Sequence, residues 1–126
     1  MDGLVTLKSA HDFPTTLSRL TAAIVAKGAT IFAIIDHADG AELAGLELRP
    51  TTLVIFGNPA AGTPLMQENQ RAGIDLPLKA LIWQDESGVF LTYNDPAWIA
   101  DRHNLNRDIT AALAAALKAF GEQATS

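Results

Sequence analysis

Two stretches of the chain repeat apolar residues at helical spacing. The first lies between Asp12 and Gly28 and carries Phe13, Leu17, Leu20 and Ile24. The spacing predicts an amphipathic helix with Asp12 as its N-cap and Gly28 at its end. Pro14 is compatible with the first turn, where a backbone N–H is not needed. The second starts at Asn106, is rich in alanine, and carries Ile109, Leu113, Leu117 and Phe120. Because each helix must bury its apolar stripe, both are predicted to pack on a sheet.

Elsewhere the apolar residues follow the pattern of extended chain. Strands are predicted over residues 3–8, 29–35, 51–56, 78–84 and 89–93, with the last two joined as a hairpin through residues 85–88. Residues 46–49 are also predicted to be extended, up to an interruption at Pro50. Residues 29–35 are apolar on both alternating faces, which is typical of an interior strand covered on both sides. Nearly complete burial is therefore predicted for Ile34, Leu53, Ile55, Leu81 and Leu113.

The connections predict short helices. Residues 38–44 are rich in alanine and end at Gly45, and Asp95 followed by Pro96 is typical of another helical start. Residues 57–62 are predicted to form a loop, after which Thr63 is the expected N-cap of a helix that begins at Pro64. Strand, helix, several strands and helix in this order favour a two-layer α+β sandwich over a doubly wound fold. No linker or repeat divides residues 1–126, so a single domain is expected.

Six segments spread over most of the chain resemble the uncharacterised bacterial and archaeal family called domain of unknown function 302. They are IDH at 35–37, GLELRPT at 45–51, IFGNP at 55–59, GTPLM at 62–66, DLPLK at 75–79 and YNDP at 93–96. The resemblance implies a TBP-like fold of β-α-β(4)-α order, with helices on one side of a curved antiparallel sheet. It also implies a homodimer, but it carries no activity.

Composition excludes several classes of function. The chain has no cysteine, which rules out disulfides, thiolate catalysis and cysteine metal sites. A net charge of −5 disfavours nucleic acid as a partner. The N-terminal sequence lacks the pattern of a signal peptide and no apolar run is long enough to cross a bilayer, so a cytoplasmic protein without a membrane partner is expected. Charged residues make up only 18% of the chain, which favours a homodimer with an apolar interface, where Trp83 and Trp98 are candidates.

Two candidate chemical sites, a phosphate-binding loop and a histidine metal site, lack residues or spacing that such sites require. Gly57 and Gly62 followed by Thr63 imitate a phosphate-binding loop, but the lysine of that motif is absent and Pro59 removes a backbone donor. An NTPase is therefore not expected. His11, His37 and His103 are far apart in sequence and have no metal-ligand spacing, so neither a metal nor another cofactor is predicted.

The predicted binding site combines polar residues that follow buried strands. Asp36 and His37 end one strand, Asn58 and Thr63 follow another, and these four are expected to meet around one cleft that favours a small anionic ligand. Arg49 and Lys79 are added as further ligand-binding candidates. The leading hypothesis is a small-molecule binding or sensing domain. An enzyme that uses Asp36 and His37 as an acid/base pair and a ligand-free dimeric interaction module stay open, as does a purely capping role for Asp36.

Overall fold

The computed structural model describes residues 2–126. Its strands are β1 (Leu4–Lys8), β2 (Thr30–Asp36), β3 (Thr51–Gly57), β4 (Leu78–Asp85) and β5 (Gly88–Asn94). Its α-helices are α1 (Phe13–Ala26), α2 (His37–Leu43), α3 (Pro59–Glu68), α4 (Pro96–His103) and α5 (Arg107–Thr125), and a 3-10 helix spans Gln70–Asp75. Residues 46–49, predicted to be extended, form no strand. The order contains the expected β-α-β(4)-α core with shorter helices in its connections.

The five strands form one sheet in the order β1-β5-β4-β3-β2, and every neighbouring pair is antiparallel. The predicted hairpin joins β4 and β5, where Asp85 pairs with Gly88. Helices α1 and α5 contact each other and lie along one side of the sheet. The predicted α+β sandwich with its antiparallel sheet is confirmed.

The core lies between this sheet and the helices. Alternate residues of the central strands are buried there, among them Val54, Phe56, Ile82 and Leu91. The rings of Phe56 and Phe120 pack edge to face with their centroids 5.8 Å apart, so β3 and α5 are in contact here. At Gly121 of α5 an added Cβ would lie 2.8 Å from Leu7 Cδ1 on β1. The absence of a side chain at this position lets α5 pack closely against Leu7.

Four of the five residues predicted to be nearly buried are not. Ile34 is 51% exposed on edge strand β2, and Leu53, Ile55 and Leu81 are only half-buried. Leu113, on α5, is 7% exposed as expected. For Leu53, Ile55 and Leu81 the cause is that the strands are apolar on both faces but helices cover only one of them. Ile34 instead pairs with the buried Val54 on the helix side and is exposed at the edge of the sheet. The second face, called here the open face, is not covered by another layer formed by residues 2–126.

Candidate functional site

Asn58 connects β3 to α3 and fixes where that helix starts. Its side-chain Oδ1 accepts a hydrogen bond of 2.9 Å from the N–H of Ala60, and its backbone carbonyl accepts from Ala61 and Gly62. Pro59 follows at the first helical position, where a missing N–H costs nothing. The donors of the first turn are thus already occupied by Asn58 itself, which leaves little attraction for an anion there.

Helix α3 begins earlier than the sequence predicts. The expected loop at residues 57–62 is helical from Pro59 onward, Thr63 lies inside the helix, and Pro64 is an interior proline. The prediction of Thr63 as N-cap is therefore wrong, because Asn58 and Pro59 supply an equally good cap and first position one turn earlier. A phosphate-cradling loop does not exist at this point of the chain.

An apolar cavity of about 290 Å³ opens beside the start of α3 and is called the Asn58 pocket. Phe32 on β2 and Leu76 and Pro77 before β4 provide apolar walls. The rest of the lining comes from Gly57, Asn58, Pro59, Gly62, Thr63, Met66, Leu78 and Leu113. Phe32 lies at an irregularity of the β2–β3 pairing between Ile31 and Ala33 and is 52% exposed. Of the predicted site residues, Asn58 and Thr63 contribute to this pocket.

Asp36 and His37 lie at the other end of the sheet. Asp36 pairs with Thr52 near the start of β3, whereas Gly57, which precedes Asn58, pairs with Thr30. The predicted convergence of the two loops is therefore wrong, because antiparallel pairing separates the end of β2 from the end of β3. The Asp36 carboxylate caps α2 by accepting from the N–H of Asp39 at 2.9 Å. The capping role that the sequence left open is the one observed.

The two remaining candidates lie apart from the Asn58 pocket as well. Arg49 forms an ion pair of 2.9 Å with Glu86, and both side chains are well exposed. Such a surface pair contributes little to stability. Lys79 pairs with Ile55 on β3 and faces the open face of the sheet. Among residues 2–126, no group of three His, Asp or Glu side chains is placed to hold a metal ion.

The open face carries an organised set of side chains that includes Trp83, one of the two predicted interface candidates. Trp83 stacks on Phe90 with ring centroids 4.6 Å apart, and its Nε1–H donates to Thr92 Oγ1 at 2.9 Å. On the helix side of the same strands the alternate residues are buried. The sequence already indicates an uncovered face. Strands with apolar residues on both faces need two covering layers, and the predicted helices provide only one.

Fold and pocket together define an α+β protein with helices on one side of an antiparallel sheet and an apolar cavity at one end of it. A family model described as "Domain of unknown function DUF302" matches residues 5–123. The chain belongs to this family. A solved relative, the uncharacterized conserved protein DUF302 from Bacillus stearothermophilus, has a TM-score of 0.88 at 18% identity, covering 98% of this chain and 99% of that one. At this identity the likeness shows the shared fold.

Longer relatives contain a closely similar segment. Proteins of Brucella suis and Brucella abortus, each named "Fluoride-specific ion channel FluC 1", are 48% identical over 120 residues, which is 94% of this chain. The match covers 47% and 44% of those proteins, so the chain spans about half the length of the curated relatives it matches. In residues 2–126 no helix is both long enough and apolar enough to span a membrane.

Proposed function

We propose that this domain binds a small, largely apolar molecule in the Asn58 pocket. The observation that carries the proposal is the cavity itself, whose volume of about 290 Å³ is near the lower end for ligand sites and whose walls are mainly apolar. Thr63 adds an exposed hydroxyl at the rim, one of the few polar groups that orient a ligand in such sites.

The chemistry of the pocket favours a neutral ligand over an anion. Pro59 has no N–H, and the N–H groups of Ala60, Ala61 and Gly62 all bond to Asn58. A carboxylate here would lose its hydration without gaining free donors in return. We therefore replace the small anionic ligand expected at this helix with a compact apolar molecule that has one hydroxyl or carbonyl for Thr63.

Gly62 offers a direct test. An added Cβ there has Leu76 Cδ1 as its nearest neighbour, at 3.9 Å, so a leucine side chain fits and projects into the pocket. We expect Gly62→Leu to abolish binding of neutral aromatic and aliphatic fragments detected by ligand-observed NMR. Gly40→Leu is the matched control, because Gly40 is also helical but has no atom within 4 Å of its Cβ position and lies at the far end of the sheet. Equal fragment binding by the parent and Gly62→Leu would reject this function.

We further propose that the domain acts as a homodimer through its open face. Five strands about 4.8 Å apart, each about seven residues long at ~3.3 Å per residue, give a face of roughly 24 by 23 Å. The resulting flat area of roughly 550 Å² is of the same order as the ~800 Å² of accessible surface that each partner buries in a stable complex. A second copy is the occupant we favour, because Leu53, Ile55 and Leu81 form an apolar centre flanked by Lys79.

Light scattering tests the dimer. The parent should have twice the chain mass at micromolar concentration, and Leu81→Lys should have the mass of one chain because a charge would be buried at the centre of the interface. Val25→Lys is the control, since Val25 is 62% exposed on α1, away from the open face. A monomeric parent, or a Leu81→Lys protein that stays dimeric, would contradict the proposal.

The other hypotheses have less support. An acid/base role for Asp36 with His37 competes with the bond by which Asp36 caps α2. A ligand-free interaction module would require the Asn58 pocket to be silent in the fragment screen. That residues 1–126 act as one unit and reside in the cytoplasm are also proposals, favoured by a core that extends from Leu20 to Ala124 and by the absence of cysteine.

The names of the longer relatives supply a second candidate function, a domain that works beside a fluoride channel. Its support is the 48% identity over nearly the whole chain. If this domain senses the transported ion, titration with sodium fluoride should shift amide resonances saturably where sodium chloride does not. Identical responses to the two salts would argue against this candidate.

A further inference from the structure

A second cleft, separate from the Asn58 pocket, lies between the 3-10 helix and the end of α4. It encloses about 800 Å³ and shares no lining residue with the Asn58 pocket. Its lining contains no carboxylate side chain and consists of Asn69, Gln70, Arg71, Gly73, Ile74, Arg102, His103 and Asn104. In a protein of net charge −5, a cleft lined by two arginines, a histidine and three amides is a local reversal of charge.

His103 is held rigidly at the wall of this cleft. Its Nε2 and Asp75 Oδ2 are 2.5 Å apart, and the two side chains are only 8% and 12% exposed. The backbone carbonyl of His103 accepts from Asn69 Nδ2 at 2.9 Å. Among residues 2–126, no buried side-chain nitrogen or oxygen lacks a hydrogen-bond partner. Nε2 bonds to Asp75, and within residues 2–126 Nδ1 has no hydrogen-bond partner, so Nδ1 is not fully buried and lies at the wall of the cleft.

The two arginines of the cleft have different surroundings. Arg102 donates to both oxygens of Asp75 at 3.2 and 3.3 Å, and its guanidinium carbon lies 5.5 Å from the centroid of the Trp98 ring. These contacts orient the guanidinium, and the Asp75 carboxylate offsets part of its charge. Arg71 is tied only by its backbone N–H, which donates to Asn69. Within the described part of the chain, its guanidinium has no carboxylate at ion-pair distance. Arg71 thus offers a fork-shaped donor to the same cleft that is lined by the buried His103.

We propose that this cleft binds a small oxyanion, a carboxylate or a phosphate group, between the Arg71 guanidinium and Nδ1 of His103. Asp75 is the positioning residue, because it fixes the imidazole through Nε2 and leaves Nδ1 for the ligand. In neutral His103 with a hydrogen on Nε2, Nδ1 is an acceptor and repels an oxyanion. An oxyanion is therefore bound by the imidazolium form, in which both ring nitrogens carry a hydrogen and Nδ1 donates. The charged groups around His103 are Asp75 on the 3-10 helix, Arg102 on its own helix and Arg71 across the cleft.

Isothermal titration of the full chain with sodium sulfate and with sodium acetate tests the proposal. Sulfate represents a phosphate group and acetate a carboxylate, and the better binder identifies which oxyanion the cleft prefers. We expect saturable binding of at least one of the two anions. Arg71→Gln should weaken binding about tenfold through the loss of a bidentate charged donor.

Two further variants separate ligand binding from structural support. Lys118→Gln removes one positive charge from an exposed position of α5 and should bind as the parent does, which excludes a net-charge effect. His103→Gln should bind weakly, because the imidazole that faces the ligand through Nδ1 is lost. Should His103→Gln fail to fold, Arg71→Gln still decides, because the exposed Arg71 side chain forms no hydrogen bond or ion pair within residues 2–126. Absence of saturable binding to both anions, or parental affinity in Arg71→Gln, would overturn the proposal.

Discussion

Two isoleucines on neighbouring strands provide a quantitative test of the one-sided core. Ile82 on β4 is fully buried under the helices, whereas Ile55 on β3 is half-buried on the open face. Truncation to alanine removes three carbon groups, worth about 0.8 kcal/mol each when fully buried. For Ile82 this gives roughly 2.4 kcal/mol, and the cavity left behind raises the loss to about 3–4 kcal/mol. For Ile55 the burial is partial and no closed cavity forms, so about 1 kcal/mol is expected.

Urea unfolding followed by circular dichroism measures both losses. With an m-value of about 2 kcal/mol/M, the difference of about 2 kcal/mol separates the two midpoints by roughly 1 M. The comparison must be made at a concentration where light scattering reports the monomer, since a dimer through the open face would add to the cost at Ile55. Equal losses for Ile82→Ala and Ile55→Ala in the monomer would refute the assignment of the two faces.

Three smaller changes test local features. Asn58→Ala should lower the free energy of unfolding by about 1 kcal/mol through loss of the α3 cap, measured by urea unfolding, while Asn58→Asp should retain most of it. Hydrogen bonds from the Ser87 side chain and backbone lower the pKa of Asp85, so Ser87→Ala should raise that pKa toward its ordinary value in a carbon-13 NMR titration. Burial, with Asp95 and Glu122 nearby, raises the pKa of Tyr93, the one tyrosine of the chain. Because the folded pKa lies above the unfolded one, this contribution to stability should be complete below about pH 10 and lost as the pH rises further, and Tyr93→Phe should remove that loss in alkaline unfolding experiments.

The fold could be read from the sequence because its signals are local. The stripe from Phe13 to Ile24 and the one from Ile109 to Phe120 each require a helix with one buried face, and both helices formed. The start of α3 was missed because two overlapping signals compete: Asn58 with Pro59, and Thr63 with Pro64. Both pairs have the residue types of a cap followed by a first helical position, and the helix of the structure starts at the earlier pair.

The site was harder because it depends on which strand ends are neighbours. The predicted sheet was antiparallel, and in an antiparallel pair the end of one strand lies beside the start of the next. Asp36 therefore belongs beside Thr52, and Asn58 belongs near Thr30. The expectation of a shared cleft treated both loops as if their strands were parallel. Residues from distant segments, such as Asp75 and His103, gave no signal at all because nothing in their spacing relates them.

The order of strands in the sheet also bears on how the chain folds. Both edge strands, β1 and β2, come from the first third of the sequence, and the centre of the sheet comes from the hairpin of β4 and β5. Strand β1 pairs with β5, where Leu4 lies opposite Asn94 and Lys8 lies opposite Phe90. During synthesis β1 therefore stays unpaired until β5, and with it most of the chain, has left the ribosome. Pairing β1 with β5 closes a long loop, and the chain loses this loop entropy before the strand contacts can compensate for it. Refolding should therefore occur in milliseconds to seconds rather than microseconds.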